Sequence, residues 1–159
     1  MTTIYADGVF DLTHYGHHKL LRRAKELGEK LVVGVHRDND VETYKRKPIL
    51  NYYERVQNIS CLEFIYKIVP GPLIITEEFL NEHNIDMVVH AHEIKDEERY
   101  REMYKVPNDL GKFKRLDYSS EISTTDIINR IETSSKQVSP TPGRRRSWML
   151  YHPNPTSLT

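Results

Sequence analysis

Residues 4–17 read Ile4-Tyr5-Ala6-Asp7-Gly8-Val9-Phe10-Asp11-Leu12-Thr13-His14-Tyr15-Gly16-His17. They begin as a short β-like run and lead, through a loop, into a helix-like stretch from His18 to Leu27. The start of a helix offers free backbone N–H groups and the positive end of the helix dipole, which together favour anions. Two imidazoles at i and i+3, His14 and His17, add donors whose bonds strengthen as charge builds up on a phosphate. The stretch therefore predicts a phosphate-binding site and nucleotide chemistry.

The rest of the chain alternates between strand-like and helix-like segments. Apolar runs predict strands at Ile4 to Ala6, Leu31 to Val35, Phe64 to Val69, Met87 to Ala91 and Phe113 to Leu116. Helical patterns lie between and after them, at His18 to Leu27, Tyr53 to Leu62, from Thr76, and at Thr124 to Ile131. This alternation predicts an α/β protein with a doubly wound parallel sheet of about five strands. Ligands bind such sheets at the carboxyl ends of the strands, where we expect the histidine loop to meet the loop that carries His90, His92 and Glu93.

Composition excludes several classes of function. The chain has 159 residues, enough for one domain with a core, and its 23 basic and 23 acidic residues give a formal net charge of zero. This balance predicts no nucleic-acid partner. Cys61 is the only cysteine, which fits a reducing compartment. The absence of a signal-peptide pattern and of a long apolar run predicts a cytoplasmic protein with no membrane insertion.

The composition changes near Thr133. Residues 134–159 hold several prolines, serines and threonines and the basic triplet Arg144-Arg145-Arg146. We therefore expect a folded domain over residues 1–133 and a disordered tail over 134–159. The basic triplet, followed by Trp148, leaves open a contact of this tail with a membrane or a partner.

Two motifs resemble one known family. The lead-in of residues 4–17 and the late run Ile122-Ser123-Thr124-Thr125-Asp126-Ile127-Ile128 are similar to the cytidylyltransferase family, and the resemblance covers about residues 2–132. That family couples CTP to a phosphorylated alcohol and releases pyrophosphate. The resemblance implies a Rossmann-like nucleotidyltransferase fold, a homodimer, and Mg²⁺ that arrives with the CTP.

Details of the sequence are most similar to the branch of the family that acts on phosphoethanolamine. The run Gly28 to His36, followed by Asp38, and the run Val88-Val89-His90 carry this similarity. A quaternary ammonium such as choline favours aromatic faces, and the segment Pro70 to Ile74 has no aromatic residue. The expected product is a CDP-alcohol for phospholipid synthesis, and phosphocholine and glycerol-3-phosphate stay open as alternative substrates.

The resemblance also implies roles for individual residues. His14, His17 and Lys45 are the expected catalytic residues, with the histidines stabilising charge on the α-phosphate. Asp7 is expected to hold the substrate ammonium, and Asp11 to orient the histidine loop. The expected CTP-binding residues are Gly8, Val9, Phe10, Gly16, Ser123, Thr124 and Thr125. His90 and His92 lack further ligands in the sequence pattern, so no metal site of the protein's own is expected.

Two positions depart from the family pattern. The family has Arg-Thr-x-Gly before its last helix, where this chain has Tyr118-Ser119-Ser120-Glu121. Glu63 stands where the family usually has an arginine. Both changes replace or remove positive charge, which is not a conservative change near phosphates. They leave open a catalytically weak homologue that acts as a nucleotide-binding or dimerisation partner.

Overall fold

A computed structural model describes residues 1–91, 97–116 and 122–137. Five strands alternate with seven helices within these residues. In chain order they are β1 (Thr3–Gly8), α1 (Tyr15–Lys25), β2 (Lys30–His36), α2 (Asp38–Glu42), α3 (Tyr52–Ser60), β3 (Lys67–Gly71), α4 (Glu77–Glu82), β4 (Met87–His90), α5 (Glu97–Met103), α6 (Lys105–Asp109), β5 (Phe113–Arg115) and α7 (Thr124–Gln137).

The strands form one parallel sheet in the order β3-β2-β1-β4-β5. The chain winds outward from β1 through β2 to β3 and then returns to the other side of β1 for β4 and β5. The strand order therefore reverses between β1 and β4, which is where a doubly wound sheet opens a crevice for ligands. The predicted fold class is confirmed.

Helices cover both faces of the sheet. On one face, Leu21 and Ala24 of α1 and Ile59 of α3 pack against Ile4 and Val33. On the other face, a second cluster contains Tyr5, Val32, Ile75, Leu80 and Tyr104. Because both faces are covered, β1 and β2 are buried along almost their whole length, and β2 is almost continuously apolar, as expected of a central parallel strand. None of the helices among the described residues is both long and apolar enough to cross a membrane.

Three boundaries differ by three residues or more from the sequence-based expectations. Helix α1 begins at Tyr15 rather than His18, because His14 acts as its N-cap. Strand β3 begins at Lys67 rather than Phe64, because the chain turns after α3, with the Ile65 N–H donating to the Leu62 carbonyl at 3.0 Å. Helix α7 continues to Gln137, past the expected domain boundary at 133. The remainder of the predicted tail lies outside the described residues.

Gly34 in β2 makes room for a buried aromatic residue. It pairs with Asp7 of β1, and a Cβ atom at this position would lie 2.0 Å from the Tyr5 hydroxyl oxygen and 2.6 Å from Cζ. Tyr5 is fully buried, so its ring cannot turn toward solvent without disturbing the residues that cover it. A side chain at position 34 is therefore incompatible with Tyr5 in its present place.

Candidate active site

A pocket of about 500 Å³ lies at the carboxyl edge of the sheet. The structure brings all eleven predicted site residues to its walls: Asp7, Gly8, Val9, Phe10, His14, Gly16, His17, Lys45, Ser123, Thr124 and Thr125. They come from the stretch that runs from the end of β1 to the start of α1, from the segment between α2 and α3, and from the start of α7. Three stretches that are distant in sequence therefore meet around one cavity.

His14 and His17 cap helix α1 reciprocally. The Gly16 N–H donates to His14 Nδ1 at 3.0 Å, and the His14 N–H donates to His17 Nδ1 at 3.3 Å. A neutral imidazole whose Nδ1 accepts a hydrogen bond carries its proton on Nε2. Both histidines are thus held in the tautomer whose remaining donor, Nε2–H, is available to a ligand.

The two histidines are neutral near pH 7. Burial, with smaller contributions from the neighbouring His14, His18 and Lys45, lowers the pKa of His17 to about 3. Burial and the adjacent His18 also lower the pKa of His14. Their rings lie 4.0 Å apart, so a charge on one disfavours a charge on the other. In the unliganded protein they are hydrogen-bond donors rather than cations.

The loop before the histidines holds two residues in the left-handed backbone region. Phe10 has a φ of 55° and Leu12 a φ of 46°. For residues other than glycine this conformation costs about 1–3 kcal/mol each, and it persists where the surroundings enforce it. The buried Phe10 ring packs edge-on against His17 at 5.5 Å and lies over Gly8, where a Cβ would be 3.1 Å from Cζ of the ring. The strained turn therefore places an aromatic support beside His17.

Asp11 joins the three walls of the pocket. Its buried carboxylate accepts from the Ile49 N–H at 2.9 Å, the Leu50 N–H at 3.0 Å and the Arg46 guanidinium at 3.0 Å. Its backbone carbonyl accepts from the Thr124 hydroxyl at 2.9 Å. Asp11 was expected to orient the histidine loop. Its contacts hold the segment next to Lys45 and the start of α7 against that loop.

Arg55 is a site-supporting residue that sequence reasoning missed. It is fully buried, and its guanidinium donates to the backbone carbonyls of Leu50, Val9 and His36 at 3.1, 2.5 and 2.7 Å. It also donates to Asp38 Oδ1 at 2.6 Å. One side chain thereby connects the loop after β1, the junction of β2 with α2 and the segment before α3.

Asp7 lies at the bottom of the pocket inside a polar cluster. Its Oδ1 atom accepts from the Tyr104 hydroxyl at 2.7 Å and lies 3.1 Å from His90 Nδ1. His36 Nε2 lies 3.6 Å from Oδ2, on the other side of the carboxylate. Burial alone raises the pKa of a carboxyl, but the two histidines outweigh it and hold the pKa of Asp7 below its usual range. Asp7 is thus an anion, and its side chain is completely covered by the protein.

The start of α7 uses some of its hydroxyl groups internally. The Ser123 hydroxyl contacts Asp126 Oδ2 at 2.7 Å and accepts from the Asp126 N–H at 3.1 Å, which makes Ser123 an N-cap residue. Thr124 uses its hydroxyl on Asp11. The α7 N-terminus consequently offers its backbone N–H groups and positive dipole end to the pocket more than the hydroxyls of these two residues.

Some sequence features lie away from the described pocket. Glu63 is exposed in the turn between α3 and β3 and does not line the cavity. His92, Glu93, Tyr118 and Glu121 fall outside the described residues. Among the residues that are described, no three acidic, histidine or cysteine side chains converge as a metal site. Mg²⁺ commonly binds through substrate phosphates with few protein ligands, so the residues present fit a cation that is carried by a nucleotide.

The sheet order, the capped histidine pair and the cavity at the strand ends define a Rossmann-like α/β protein with a nucleotidyltransferase-like fold. The chain belongs to the cytidylyltransferase-like family, whose conserved region matches residues 5–130. The predicted family is thereby confirmed.

Individual relatives agree with this placement. An ethanolamine-phosphate cytidylyltransferase of Dictyostelium discoideum is 35% identical over 84% of this chain and 37% of its own length. A choline-phosphate cytidylyltransferase of Arabidopsis thaliana, number 2, is 35% identical over 80% of this chain and 44% of its own length. The chain therefore spans well under half the length of these curated relatives. The crystal structure of a lipopolysaccharide core biosynthesis protein from Thermoplasma volcanium aligns with a TM-score of 0.62 at 30% identity, over 76% of this chain and 99% of that one.

Proposed function

We propose that this protein transfers a cytidylyl group from CTP to a phosphorylated amino alcohol, with phosphoethanolamine as the expected substrate. The observation that carries the proposal is the pair of neutral imidazoles at the start of α1, each with its Nε2–H left for a ligand in the pocket. The names of the relatives support the substrate class, because they include both ethanolamine-phosphate and choline-phosphate cytidylyltransferases. The product would be a CDP-alcohol that serves phospholipid synthesis.

In this reaction a phosphate oxygen of the alcohol attacks the α-phosphorus of CTP. The bond from that phosphorus to the bridging oxygen breaks, and pyrophosphate leaves with the bond's electron pair. Such transfers depend on positioning and on stabilisation of phosphate charge. His14 and His17 donate from Nε2 to the α-phosphate and bridging oxygens, and Lys45 neutralises phosphate charge from the segment between α2 and α3.

The remaining pocket residues bind the two substrates. The loop Gly8-Val9-Phe10 and Gly16 let the backbone approach the nucleotide, while Ser123, Thr124 and Thr125 present the α7 N-terminus to the β- and γ-phosphates. The nucleotide binds as its Mg²⁺ complex, in which the cation offsets phosphate charge. Asp7 supplies the negative charge that attracts the substrate ammonium.

A direct assay tests this function. Purified protein is incubated with CTP, Mg²⁺ and, in turn, phosphoethanolamine, phosphocholine or glycerol-3-phosphate, and the CDP-alcohol is quantified by mass spectrometry. We expect turnover with phosphoethanolamine and none in a His14→Asn, His17→Asn double variant. If none of the three alcohols reacts while CTP raises the melting temperature, the chain is a nucleotide-binding homologue rather than an enzyme.

We propose further that the protein is a cytoplasmic homodimer that does not bind nucleic acid. Its zero net charge and single cysteine support the location and the absence of a nucleic-acid partner. The dimer is supported by the family resemblance alone. Light scattering after size-exclusion chromatography measures it, and a monomer mass at micromolar concentration would contradict it.

A further inference from the structure

The pocket wall carries two permanent cations among the residues that the structure describes, Lys45 and Arg46. Lys45 is the expected catalytic cation, whereas Arg46 has no part in the reaction proposed above. The side chain of Arg46 is 44% exposed and lines the cavity, so a ligand in the pocket can reach it. A guanidinium in this position suits phosphate oxygens, which it binds through two parallel N–H groups.

Asp11 holds the guanidinium of Arg46 in place. Nη2 donates to Asp11 Oδ2 at 3.0 Å, and Nη1 donates to the Lys47 carbonyl at 3.0 Å. The carboxylate is itself fixed, because the N–H groups of Ile49 and Leu50 donate to it at 2.9 and 3.0 Å. A guanidinium has five N–H groups, and only these two have acceptors within the described part of the chain. The other three are left for a ligand.

The residue that anchors Arg46 also anchors the start of α7. The Asp11 carbonyl accepts from the Thr124 hydroxyl at 2.9 Å. The guanidinium and the N-terminus of α7 therefore both lie beside Asp11, and both line the same cavity. The helix end favours anions through its backbone N–H groups and its dipole, and the guanidinium adds a full positive charge. This end of the pocket is consequently the one best suited to the most highly charged part of a nucleotide.

We propose that Arg46 binds the terminal phosphates of CTP and makes the pocket prefer a nucleoside triphosphate to a monophosphate. This inference rests on the proposed use of CTP and adds a binding residue to it. The β- and γ-phosphates lie between the guanidinium and the N-terminus of α7. In the transfer they leave together as pyrophosphate, so the guanidinium also offsets the charge that builds up on the leaving group.

Isothermal titration calorimetry with CTP and with CMP, each in the presence of Mg²⁺, tests this assignment without requiring turnover. CMP lacks the β- and γ-phosphates, so it reports contacts to the rest of the nucleotide. Arg46→Gln should weaken CTP binding by about 10- to 100-fold, the loss expected when hydrogen bonds to a charged group are not made, and should change the Kd of CMP by less than about threefold. Arg46→Lys keeps the charge but loses the planar fork, so its Kd for CTP should lie between those of the wild type and Arg46→Gln.

Lys47→Gln is the matched control. It removes one positive charge from the adjacent position, but the side chain of Lys47 is 78% exposed and does not line the pocket. Solvent and salt screen such a charge, so the Kd values for both nucleotides should stay within about twofold of the wild type. Equal losses of CTP affinity in Lys47→Gln and Arg46→Gln would indicate a general effect of net charge and would overturn the inference.

The outcomes separate this inference from the proposed function. If Arg46→Gln binds CTP as the wild type does, or loses CTP and CMP affinity equally, the role of Arg46 is overturned, and formation of a CDP-alcohol by the wild type leaves the function standing. A CTP-selective loss in a protein that turns over none of the alcohols supports Arg46 and overturns the enzyme. Wild-type protein that binds no CTP overturns both. If Arg46→Gln fails to fold, Arg46→Lys decides, since an unchanged Kd for CTP in that variant overturns the inference.

Discussion

Replacement of His14 separates its two tasks, capping helix α1 and donating to a phosphate. Its Nδ1 atom accepts from the Gly16 N–H at 3.0 Å, and its Nε2 is left for the ligand. In His14→Ala both tasks are lost. The missing cap should cost about 1 kcal/mol of unfolding free energy, which in a domain of this size lowers the melting temperature by about 2–4 °C. The missing donor should lower kcat by about 100-fold or more.

His14→Asn is the matched variant, because asparagine is among the best N-cap residues. Its side-chain oxygen replaces Nδ1 as the acceptor, so the melting temperature should stay within about 1 °C of the wild type. Its short amide does not reach the position of Nε2, so kcat should still fall by about 100-fold. Thermal unfolding followed by circular dichroism and a CDP-alcohol assay at saturating CTP give both quantities. Full activity in the asparagine variant, with low activity in the alanine variant, would show that His14 acts only as a cap and would refute the donor role.

Three further predictions concern stability. Because the pKa of His17 is low, the unfolded chain, with a histidine pKa near 6.5, takes up a proton that the folded protein does not, and the free energy of unfolding falls as pH drops below about 6.5. Urea unfolding at pH 7 and pH 5 should show a fall in this free energy that is roughly 1–2 kcal/mol smaller in His17→Gln than in the wild type. Identical falls in the two proteins would contradict the prediction. Arg55→Met should lower the free energy of unfolding by about 3–5 kcal/mol, since it leaves buried carbonyls and a carboxylate unpaired. The control Arg22→Met, at an exposed position, should change this free energy by less than about 0.5 kcal/mol. Gly34→Ala should lower the free energy of unfolding by at least about 1–3 kcal/mol. Adding Tyr5→Phe should recover part of that loss, because it removes the oxygen at 2.0 Å. If the double variant shows no recovery, the clash lies elsewhere.

The sheet was predictable from local patterns, and the pocket walls were predictable from those patterns together with the family resemblance. Apolar runs typical of strands alternate with segments that have a helical pattern of apolar residues. The loops that follow parallel strands lie at the same edge of the sheet. His14, His17 and the loop after β4 could therefore be placed at one edge, whereas Thr124 was placed with them by the family resemblance of the run Ile122 to Ile128. The start of α1 was wrong by three residues because histidine is not a usual capping residue, and only the three-dimensional contact between Gly16 and His14 shows that it caps.

The supporting residues were not predictable for a different reason. Arg55 lies in a helix, where a charged residue is normally expected to face solvent, and its four partners come from three separate stretches of the chain. His36 ends a strand-like run and gives no signal of its own in the sequence. The register of β1 with β2, which pairs Asp7 with Gly34, places His36 beside the carboxylate. Contacts of this kind arise from tertiary packing, so no spacing of residues in the sequence indicates them.

The bond from Thr124 to the backbone of Asp11 spans 113 residues, and this separation has a consequence for synthesis on the ribosome. At the usual rate of about 5–20 residues per second, roughly 6 to 23 s pass between the emergence of Asp11 and that of Thr124. During this interval the nascent chain already carries the histidine loop, but the third wall of its pocket does not yet exist. Under the proposed function, a nucleotide stabilises the domain fully only after α7 has arrived, so ligand binding favours chains that include α7 over shorter ones.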